Sequence, residues 1–323
     1  MTPKMISQAV YDAATLVREH PARWQDANKQ LVHAIATPPG APHRGRIEVA
    51  RWRAVRLPER VPESRVVFEA RADLFDYAPP REAQVVEWHL NFAHSHLFVA
   101  YGGGLMAQDE LQVAEHPALG SLREALVATG DVQPLTVEGG APTPITIAGV
   151  ERRCAIATEP NLAEGRPYGL YGNRFRAASE EAVRKAVRRL DPPTRSNLIA
   201  MEAPVGYSGP YTEAQLRFIL TTAATGFAGA VAASEGRRVV VHTGFWGCGA
   251  YGGDRELMAL LQQLSARLAG LDGLVFHTFD EAGMRHHEAA LEVSRSIRSG
   301  SALDEVLARI VRRGYRWGVG DGT

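Results

Sequence analysis

Five glycines fall within eleven residues at one place in this chain, and this cluster constrains the fold more than any other feature. Residues 244–254 read Gly-Phe-Trp-Gly-Cys-Gly-Ala-Tyr-Gly-Gly-Asp, after the apolar run 238–242 and before a segment of helical pattern. Glycines let a backbone approach an anion and turn its N–H groups towards it, and the N-terminus of the next helix adds positive charge. The pattern predicts a phosphate-binding loop between a strand and a helix.

A second glycine run stands at residues 102–104, also after an apolar segment, and four residues separate it from the acidic pair Asp109 and Glu110. A triple glycine alone predicts no more than a tight turn. An acidic pair at a helix start is equally explained by the helix dipole. Together with the loop at residues 244–254, however, the two features predict a shared site. The loop at residues 244–254 holds a diphosphate, and the run at residues 102–104 brings a carboxyl group to the bond that breaks.

Size and charge limit the class of protein. The chain has 323 residues, 45% of them hydrophobic, and its 36 Lys and Arg balance its 36 Asp and Glu. Such a chain buries a large core, and no overall field attracts it to nucleic acid. Cys154 and Cys248 are expected to be free thiols, no apolar run approaches the about 20 residues of a membrane span, and no secretory segment follows Met1. We therefore expect a cytoplasmic monomer with no membrane partner.

Strand-like and helix-like segments alternate along most of the chain, which is typical of the α/β class. Residues 6–36 carry apolar positions at helical spacing, broken by His20 and Pro21, and predict two helices. We assign residues 1–80 to an N-terminal helical or accessory region and residues 81–323 to the main domain. Strands are predicted at residues 46–57, 65–70, 84–93, 97–101, 145–147, 155–157, 197–200, 239–243 and 273–279, and helices at residues 108–114, 119–128, 177–190, 212–233, 257–268 and 302–313.

The segment 243–254 and the helical segment after it closely resemble the last phosphate loop and helix of the poly(ADP-ribose) glycohydrolases. The resemblance extends from residue 65 to residue 315 and implies an elaborated macrodomain, a three-layer α/β/α fold with a mixed central sheet and an N-terminal helical extension. Further stretches that resemble the family are Gln108-Asp109-Glu110-Leu111, at the place of its Gln-Glu-Glu signature helix, and segments 197–203 and 276–279, at the place of core strands.

What the resemblance implies is a pocket for ADP-ribose and hydrolysis of the O-glycosidic bond at the terminal ribose, with no metal or other cofactor. By position, Glu110 matches the catalytic glutamate, and Asp109 matches the carboxylate that holds ribose hydroxyls. The implied ligand-binding positions are Gly102, Gly103 and Gly104 beneath the ribose, Gln108 in the signature, Gly244, Phe245, Gly247, Cys248, Gly249, Ala250 and Tyr251 around the diphosphate, and Phe279 against the ligand.

Three departures from the family lie near the ribose position. Asp109 replaces a glutamate, the link from Gly104 to Gln108 is shorter than the family's loop, and the Phe-Ala-Asn segment reads Phe-Ala-His at residues 92–94. These three departures affect the expectation of catalytic turnover more than the expected class of ligand, because the loop assigned to the diphosphate matches the family. Three functions stay open: cleavage of poly(ADP-ribose), removal of a single ADP-ribose from protein or nucleic acid, and ADP-ribose binding without cleavage.

Hydrolysis of a ribosyl acetal needs a proton for the departing oxygen, stabilisation of an oxocarbenium-like centre and a positioned water. A carboxylic acid supplies the proton if its pKa is raised, and a neighbouring carboxylate, a diphosphate and burial all raise it. Adjacent residues on a helix face different directions, so Asp109 and Glu110 are expected to have separate roles. We assign Glu110 as the general acid and then base, and Asp109 as the residue that orients the ribose.

Large aromatic side chains between loop glycines must pack against something, either a ligand or the core. We expect Tyr251 near the ligand and Trp246 in the core. Adenine needs a flat apolar partner, and the family supplies a tyrosine from the region where this chain has Tyr168 and Tyr171. The sequence leaves open which of the two stacks on adenine.

His94 and His96 lie two residues apart and share one face of a predicted strand, as metal ligands can. No third ligand at a suitable spacing accompanies them, so no metal site is predicted. Cys248 is expected to pack rather than react, because no histidine is placed beside it. The basic run 184–189 is most simply a solvated helix face, with contact to a polyanionic substrate as the alternative.

Overall fold

The computed structural model describes residues 1–80 and 82–320, and its centre is one mixed β-sheet of eight strands with helices on both faces. Two further short strands pair with each other in a separate hairpin. The strands are β1 (Lys4–Asp12), β2 (Arg46–Arg53), β3 (Val67–Arg71), β4 (Val85–Phe92), β5 (Val137–Glu138), β6 (Ala141–Pro142), β7 (Ile145–Ile156), β8 (Val187–Met201), β9 (Arg238–Thr243) and β10 (Gly273–His277).

Several helices begin at a residue whose side-chain oxygen accepts a backbone N–H of the first turn. Asp254, for example, accepts the N–H of Leu257 at 2.9 Å, which satisfies a donor that the helix itself leaves without a partner. The helices are α1 (Ala13–Glu19), α2 (Ala27–Ala36), α3 (Gln108–Glu115), α4 (Ala118–Thr129), α5 (Arg174–Ala177), α6 (Glu180–Ala186), α7 (Glu213–Ala233), α8 (Arg255–Ala269), α9 (Glu281–Ser296) and α10 (Leu303–Arg312).

The sheet has a parallel part and an antiparallel part. Its strand order is β1-β2-β7-β8-β4-β9-β10-β3. Strands β8, β4, β9, β10 and β3 run parallel to one another, whereas β1, β2 and β7 pair antiparallel with their neighbours. Strand β4 lies in the interior of the parallel part, so it is covered on both faces and flanked on both edges.

Apolar side chains are buried on both faces of the sheet. One core, which includes Trp88 and Phe227, lies between the sheet and helices α7, α8 and α10. The other, which includes Leu16 and Leu122, lies under α1 and α4. The predicted three-layer α/β/α arrangement with a mixed sheet is therefore confirmed.

Helix α7 corrects one expectation from the sequence. Among the described residues, Glu213–Ala233 is long and apolar enough to cross a membrane by length and composition, although no such run was expected. However, 67% of its most apolar stretch is buried, and the helix packs against the sheet and α8. The core of this fold accounts for its composition.

Two predicted elements are wrong because tertiary pairing overrides the local pattern. The helix expected from residue 6 is strand β1 up to Asp12, where it pairs with β2 along the edge of the sheet. The strand expected at residues 97–101 is a series of turns. Leu97 and Phe98 are nevertheless fully buried, and Phe98 has a φ of 54°, so these apolar residues enter the core from a turn.

Two further boundaries differ from the predictions. The short strands expected at residues 145–147 and 155–157 are parts of one strand, β7. The basic helix expected at residues 177–190 ends at Ala186, and the chain continues directly as β8. In both places the ladder between β7 and β8, which joins residues far apart in sequence, decides the conformation.

The first 80 residues contain the two helices α1 and α2 and also three strands of the central sheet, β1, β2 and β3. This region therefore shares the sheet with the rest of the chain. The domain boundary near residue 80 stays a prediction.

Candidate active site

The carboxyl ends of β4, β9 and β10 meet at one edge of the sheet, because these strands are parallel neighbours. In the sheet, β7 and β8 lie on one side of β4, and β9 and β10 lie on its other side. Ligands of open α/β sheets bind in the crevice at such a switch point. Both glycine loops lie there, the first between β4 and α3 and the second between β9 and α8.

The first glycine loop, residues 102–104, is held by the N-terminal part of the chain. The carbonyl of Gly102 accepts the N–H of Gln25 at 2.9 Å. A Cβ atom at Gly102 would lie 2.3 Å from the carbonyl oxygen of Arg23. Gly102 is therefore required by the close approach of two backbone segments, whereas Gly103 and Gly104 are partly exposed towards the crevice.

Asp109 and Glu110 lie in the first turn of α3 and are only 7% and 4% exposed. Oδ1 of Asp109 accepts a hydrogen bond from Nδ2 of Asn91 on β4 at 3.0 Å. Oε2 of Glu110 accepts the N–H of Ala107 at 3.1 Å. The two carboxylates therefore have different partners, which agrees with separate roles.

Asp109 retains its proton at a higher pH than a carboxyl group in water does. Burial raises the pKa of Asp109 to about 7, and the charge of Glu110 adds to the increase. The hydrogen bond from Asn91 and the charge of Lys29 oppose it. The first turn of α3 therefore contains a carboxyl group that still binds a proton close to neutral pH.

Lys29 on α2 is a site residue that the sequence did not indicate. Its side chain is 1% exposed, and Nζ donates to the carbonyl of Tyr101 at 3.1 Å. Burial lowers its pKa to about 8, while the charges of Glu110, Asp109 and Asp26 oppose that decrease. The N-terminal region thus contributes a buried amine beside the acidic pair.

The second glycine loop, residues 244–253, directs its large side chains into the core. Trp246 is fully buried, as predicted, and Nε1 donates to the carbonyl of Met201 at 3.0 Å. Phe245 is 6% exposed and packs against Phe276 with ring centroids 5.0 Å apart. The Phe245 ring therefore belongs to the core, and only its backbone remains available to a ligand.

The backbone of this loop offers several N–H groups. Within residues 1–80 and 82–320, the N–H groups of Gly249, Ala250 and Tyr251 make no hydrogen bond. The three residues are at least partly exposed and precede the N-terminus of α8. N–H groups without protein partners at such a place suit a diphosphate.

Tyr251 connects the second loop with the acidic pair. Burial raises the pKa of its hydroxyl, and the negative charges of Glu202, Asp109 and Glu110 add to the increase, in that order. The Tyr251 hydroxyl therefore lies within electrostatic range of both carboxylates of α3. The structure thus brings the two glycine loops to one crevice.

Phe279 lies directly after β10 and borders the second loop. A Cβ atom at Gly244 would lie 3.5 Å from Cζ of Phe92 and 3.6 Å from Cε2 of Phe279, so the two rings flank this glycine. Phe279 is 48% exposed and has a φ of 65°, in the left-handed region that aromatic residues rarely adopt. Such backbone strain clusters at ligand-binding positions.

The loop that carries Tyr168 and Tyr171 reaches the first glycine loop. Met106 and Gly172 exchange two backbone hydrogen bonds, of 3.2 and 2.9 Å. This pairing brings Tyr171, next to Gly172, close to the start of α3. Tyr168 is 72% exposed, and its carbonyl accepts a hydrogen bond from Arg174. Tyr171 is thus the tyrosine next to the backbone pairing, and which of the two contacts adenine stays a prediction.

The comparison with protein families agrees with this geometry. Residues 166–286 match the family described as "Poly (ADP-ribose) glycohydrolase (PARG), Macro domain fold". The PARG resemblance is confirmed. The matched segment contains the tyrosine loop, β8, β9, the second glycine loop, β10 and Phe279.

Solved PARG structures also resemble the chain. The enzyme from Thermomonospora curvata is 17% identical, with 88% of this chain and 85% of that chain covered and a TM-score of 0.44. The enzyme from Deinococcus radiodurans, solved in complex with ADP-ribose, is 15% identical, with 88% and 96% covered and a TM-score of 0.44. No curated protein sequence matches the chain.

Two residues assigned to the ligand by the PARG resemblance also hold the fold together. The side chain of Gln108 accepts the N–H of Phe92 at 2.8 Å and donates to the carbonyl of Leu90 at 3.0 Å, which ties α3 to β4. Burial raises the pKa of the Cys248 thiol, and Sγ lies 3.7 Å from the carbonyl of Trp246. Cys248 therefore packs, as expected.

Besides Lys29, two parts of this crevice were not indicated by the sequence. Glu202 follows β8, is 8% exposed, and Oε1 accepts the N–H of Ser95 at 2.8 Å. The C-terminal tail supports the second loop, because the N–H of Gly318 donates to the carbonyl of Gly252 at 2.7 Å. A lone glutamate and a polar tail carry no sequence signal of such roles.

Proposed function

We propose that this chain hydrolyses the O-glycosidic bond of the terminal ribose in poly(ADP-ribose) or in ADP-ribosylated targets and releases ADP-ribose. One observation carries the proposal: the two glycine loops follow the paired parallel strands β4 and β9 at the same edge of the sheet, and the charges of Asp109 and Glu110 act on the Tyr251 hydroxyl of the second loop. In the proposed complex, the diphosphate binds the N–H groups of residues 249–251 and the ribose lies at the first turn of α3. The ligand and the acid would then share one crevice.

In the proposed reaction, Glu110 donates a proton to the departing oxygen and then accepts one from the attacking water. Asp109, whose pKa burial raises to about 7, holds a proton next to Glu110 and supports this role. Asp109, held by Asn91 at 3.0 Å, orients the ribose hydroxyls. Arg176, whose side chain covers Gly104, and the N-terminus of α8 offset the charge of the diphosphate.

Labelled poly(ADP-ribose) tests the proposal. The wild-type protein is expected to release ADP-ribose, and Glu110→Gln is expected to lower the rate about 100- to 10,000-fold, as loss of a general acid does. Glu305→Gln, at an exposed position of α10, is the matched control and should retain full activity. Full activity of Glu110→Gln, or no release by the wild type, would contradict the proposal. Mono-ADP-ribosylated protein as a second substrate separates the two hydrolase activities.

A second candidate is an ADP-ribose reader that binds without cleaving. It is favoured by one observation, the hydrogen bond between Oε2 of Glu110 and the N–H of Ala107, which engages the proposed acid in capping its own helix. Calorimetry with ADP-ribose distinguishes the candidates. Binding without release of ADP-ribose from either substrate supports the reader, and absence of binding contradicts both functions.

A further inference from the structure

A second cluster of ionisable side chains lies on the same three strands. His89 of β4 lies opposite His242 of β9, and His277 of β10 follows on the next strand. The three imidazoles are 3%, 2% and 0% exposed. Glu87, two residues before His89 and therefore on the same face of β4, completes the cluster.

Hydrogen bonds orient two of these histidines. Nδ1 of His277 lies 2.8 Å from Oδ1 of Asp73, and Nε2 of His277 lies 3.0 Å from Nδ1 of His242. A carboxylate accepts, so we assign the proton of His277 to Nδ1, and Nε2 then accepts the Nδ1–H of His242. Nε2 of His242 is left with its lone pair towards Glu87, whose Oε2 lies 3.5 Å away. Two hydrogen-bond acceptors that face each other in a buried place need a cation between them, either a proton or a metal ion.

His89 adds a second unpaired donor atom to the same place. Both of its ring nitrogens are buried without a hydrogen-bond partner among the described residues, as is Nε2 of His242. Burying such groups without partners is costly. A cavity of about 130 Å³ opens beside Glu87 and His89.

We propose that Glu87, His89 and His242 bind a divalent first-row transition-metal ion such as Zn²⁺, with a further coordination position open to the adjacent cavity. Two imidazoles and one carboxylate are a common donor set for such ions. His277 and Asp73 would act behind His242, as hydrogen-bonded partners of metal-bound histidines do. The proposal does not rest on hydrolysis of ADP-ribose, because it uses none of the crevice residues.

The cluster must contract slightly to coordinate an ion. The three candidate ligand atoms lie within 4.8 Å of one another. Ligands about 2.0–2.1 Å from a tetrahedral zinc ion lie about 3.3 Å apart. The rings of His89 and His242 are stacked, with centroids 4.5 Å apart and 15° between planes, so one ring must turn. His89 is able to do so without breaking a hydrogen bond, because its nitrogens have none.

The competing explanation is a proton in place of the metal, with a doubly protonated His242 paired to Glu87. Two arginines, Arg195 and Arg237, also line the cavity and disfavour a cation. Their side chains are held by backbone carbonyls of Gly149 and Ser234, at 3.0 and 3.2 Å. A proton on His242, however, leaves both nitrogens of His89 without a partner, whereas a metal ion engages one of them.

Metal titration of the full-length protein, freed of metal by a chelator and desalted, distinguishes the two explanations. Co²⁺ is followed by its visible absorption, and Zn²⁺ by competition with a chromophoric chelator. One equivalent is expected to bind. His89→Phe, which preserves the aromatic packing, and Glu87→Gln should each weaken Zn²⁺ binding at least about 10-fold, and Asp73→Asn about 10- to 100-fold.

The double variant His94→Gln/His96→Gln is the matched control, because it removes two exposed histidines outside the cluster, and it should bind Zn²⁺ as the wild type does. Circular dichroism verifies that each variant folds, and Glu87, with 22% of its side chain exposed, is the substitution least disturbing to the core. The proposal is overturned if the wild type binds less than one equivalent, if Glu87→Gln binds normally, or if only the control loses binding. Glu110→Gln should bind Zn²⁺ normally, which separates this test from that of the hydrolase.

Discussion

The two glycine loops look alike in sequence but are built differently. In the first loop, Gly102 is required by the backbone of Arg23, and the segment 23–29 holds the loop from outside. The second loop is closed by its own turns, such as the hydrogen bond of 2.9 Å from Gly253 to Gly247, and it leaves the N–H groups of residues 249–251 to a ligand. Glycine therefore serves the approach of a distant backbone segment in the first loop, whereas in the second it serves close packing around a backbone whose N–H groups are the proposed diphosphate site.

The largest expected effect comes from Gly247→Ala in the second loop. Gly247 has a φ of 76°, and a Cβ atom there would lie 2.5 Å from Cβ of Ala203. Strain and overpacking together should lower the free energy of unfolding by about 3 kcal/mol, as measured by urea unfolding. Ala203→Gly in the same chain should restore only the part due to the clash. Full restoration would show that the positive φ costs nothing.

The first loop should respond differently to the same substitution. Gly102→Ala is expected to lower the free energy of unfolding by about 2 kcal/mol, because the new methyl group meets the carbonyl of Arg23 at 2.3 Å. No side-chain deletion relieves a clash with backbone. At Gly103 the nearest atom is 3.4 Å from the new Cβ, so Gly103→Ala should change stability by less than about 0.5 kcal/mol. Equal effects at both positions would refute the role assigned to Arg23.

An effect that is smaller per pH unit should appear in the pH dependence of stability. The pKa of Asp109 is raised from 3.8 to about 7 in the folded protein, so between those values the folded state binds more protons than the unfolded one. This group therefore stabilises the fold fully below about pH 4, and its contribution falls as pH rises to 7, by at most about 1.4 kcal/mol per pH unit. Asp109→Asn should remove this slope.

The measurement is the difference in unfolding free energy between wild type and Asp109→Asn at pH 4, 5.5 and 7, because the slopes that other titratable groups contribute, of either sign, cancel in the difference. Glu305→Gln, at an exposed position of α10, serves as the control. Parallel curves for wild type and Asp109→Asn would show that Asp109 titrates normally.

The smallest expected effect concerns adenine. If Tyr171 stacks on the base, Tyr171→Leu should weaken ADP-ribose binding about tenfold, at the low end of the 1–3 kcal/mol that such stacking contributes. Tyr168→Leu is the paired control and should bind almost normally. Calorimetry measures both. A larger loss in Tyr168→Leu would place the adenine on the outer side of the loop.

The residues of the crevice divide into those that the sequence revealed and those that it did not. Glu110 and residues 244–253 were recognisable because their signals are local, a short motif and a glycine pattern between a strand and a helix. Lys29 and Glu202 carry no such signal. They belong to the crevice only because α2 begins and β8 ends beside it.

The sequence by itself determined the α/β class, the strand, loop and helix around residues 239–268, and the acidic first turn of α3, because hydrophobic periodicity and turn chemistry act over a few residues. Only the tertiary structure decided that residues 4–12 form an edge strand, that Gly102 serves the N-terminal segment, and that His89, His242 and His277 gather on one face of the sheet. These outcomes depend on contacts between residues far apart in the chain, such as the pairing of His89 with His242, which no local pattern encodes.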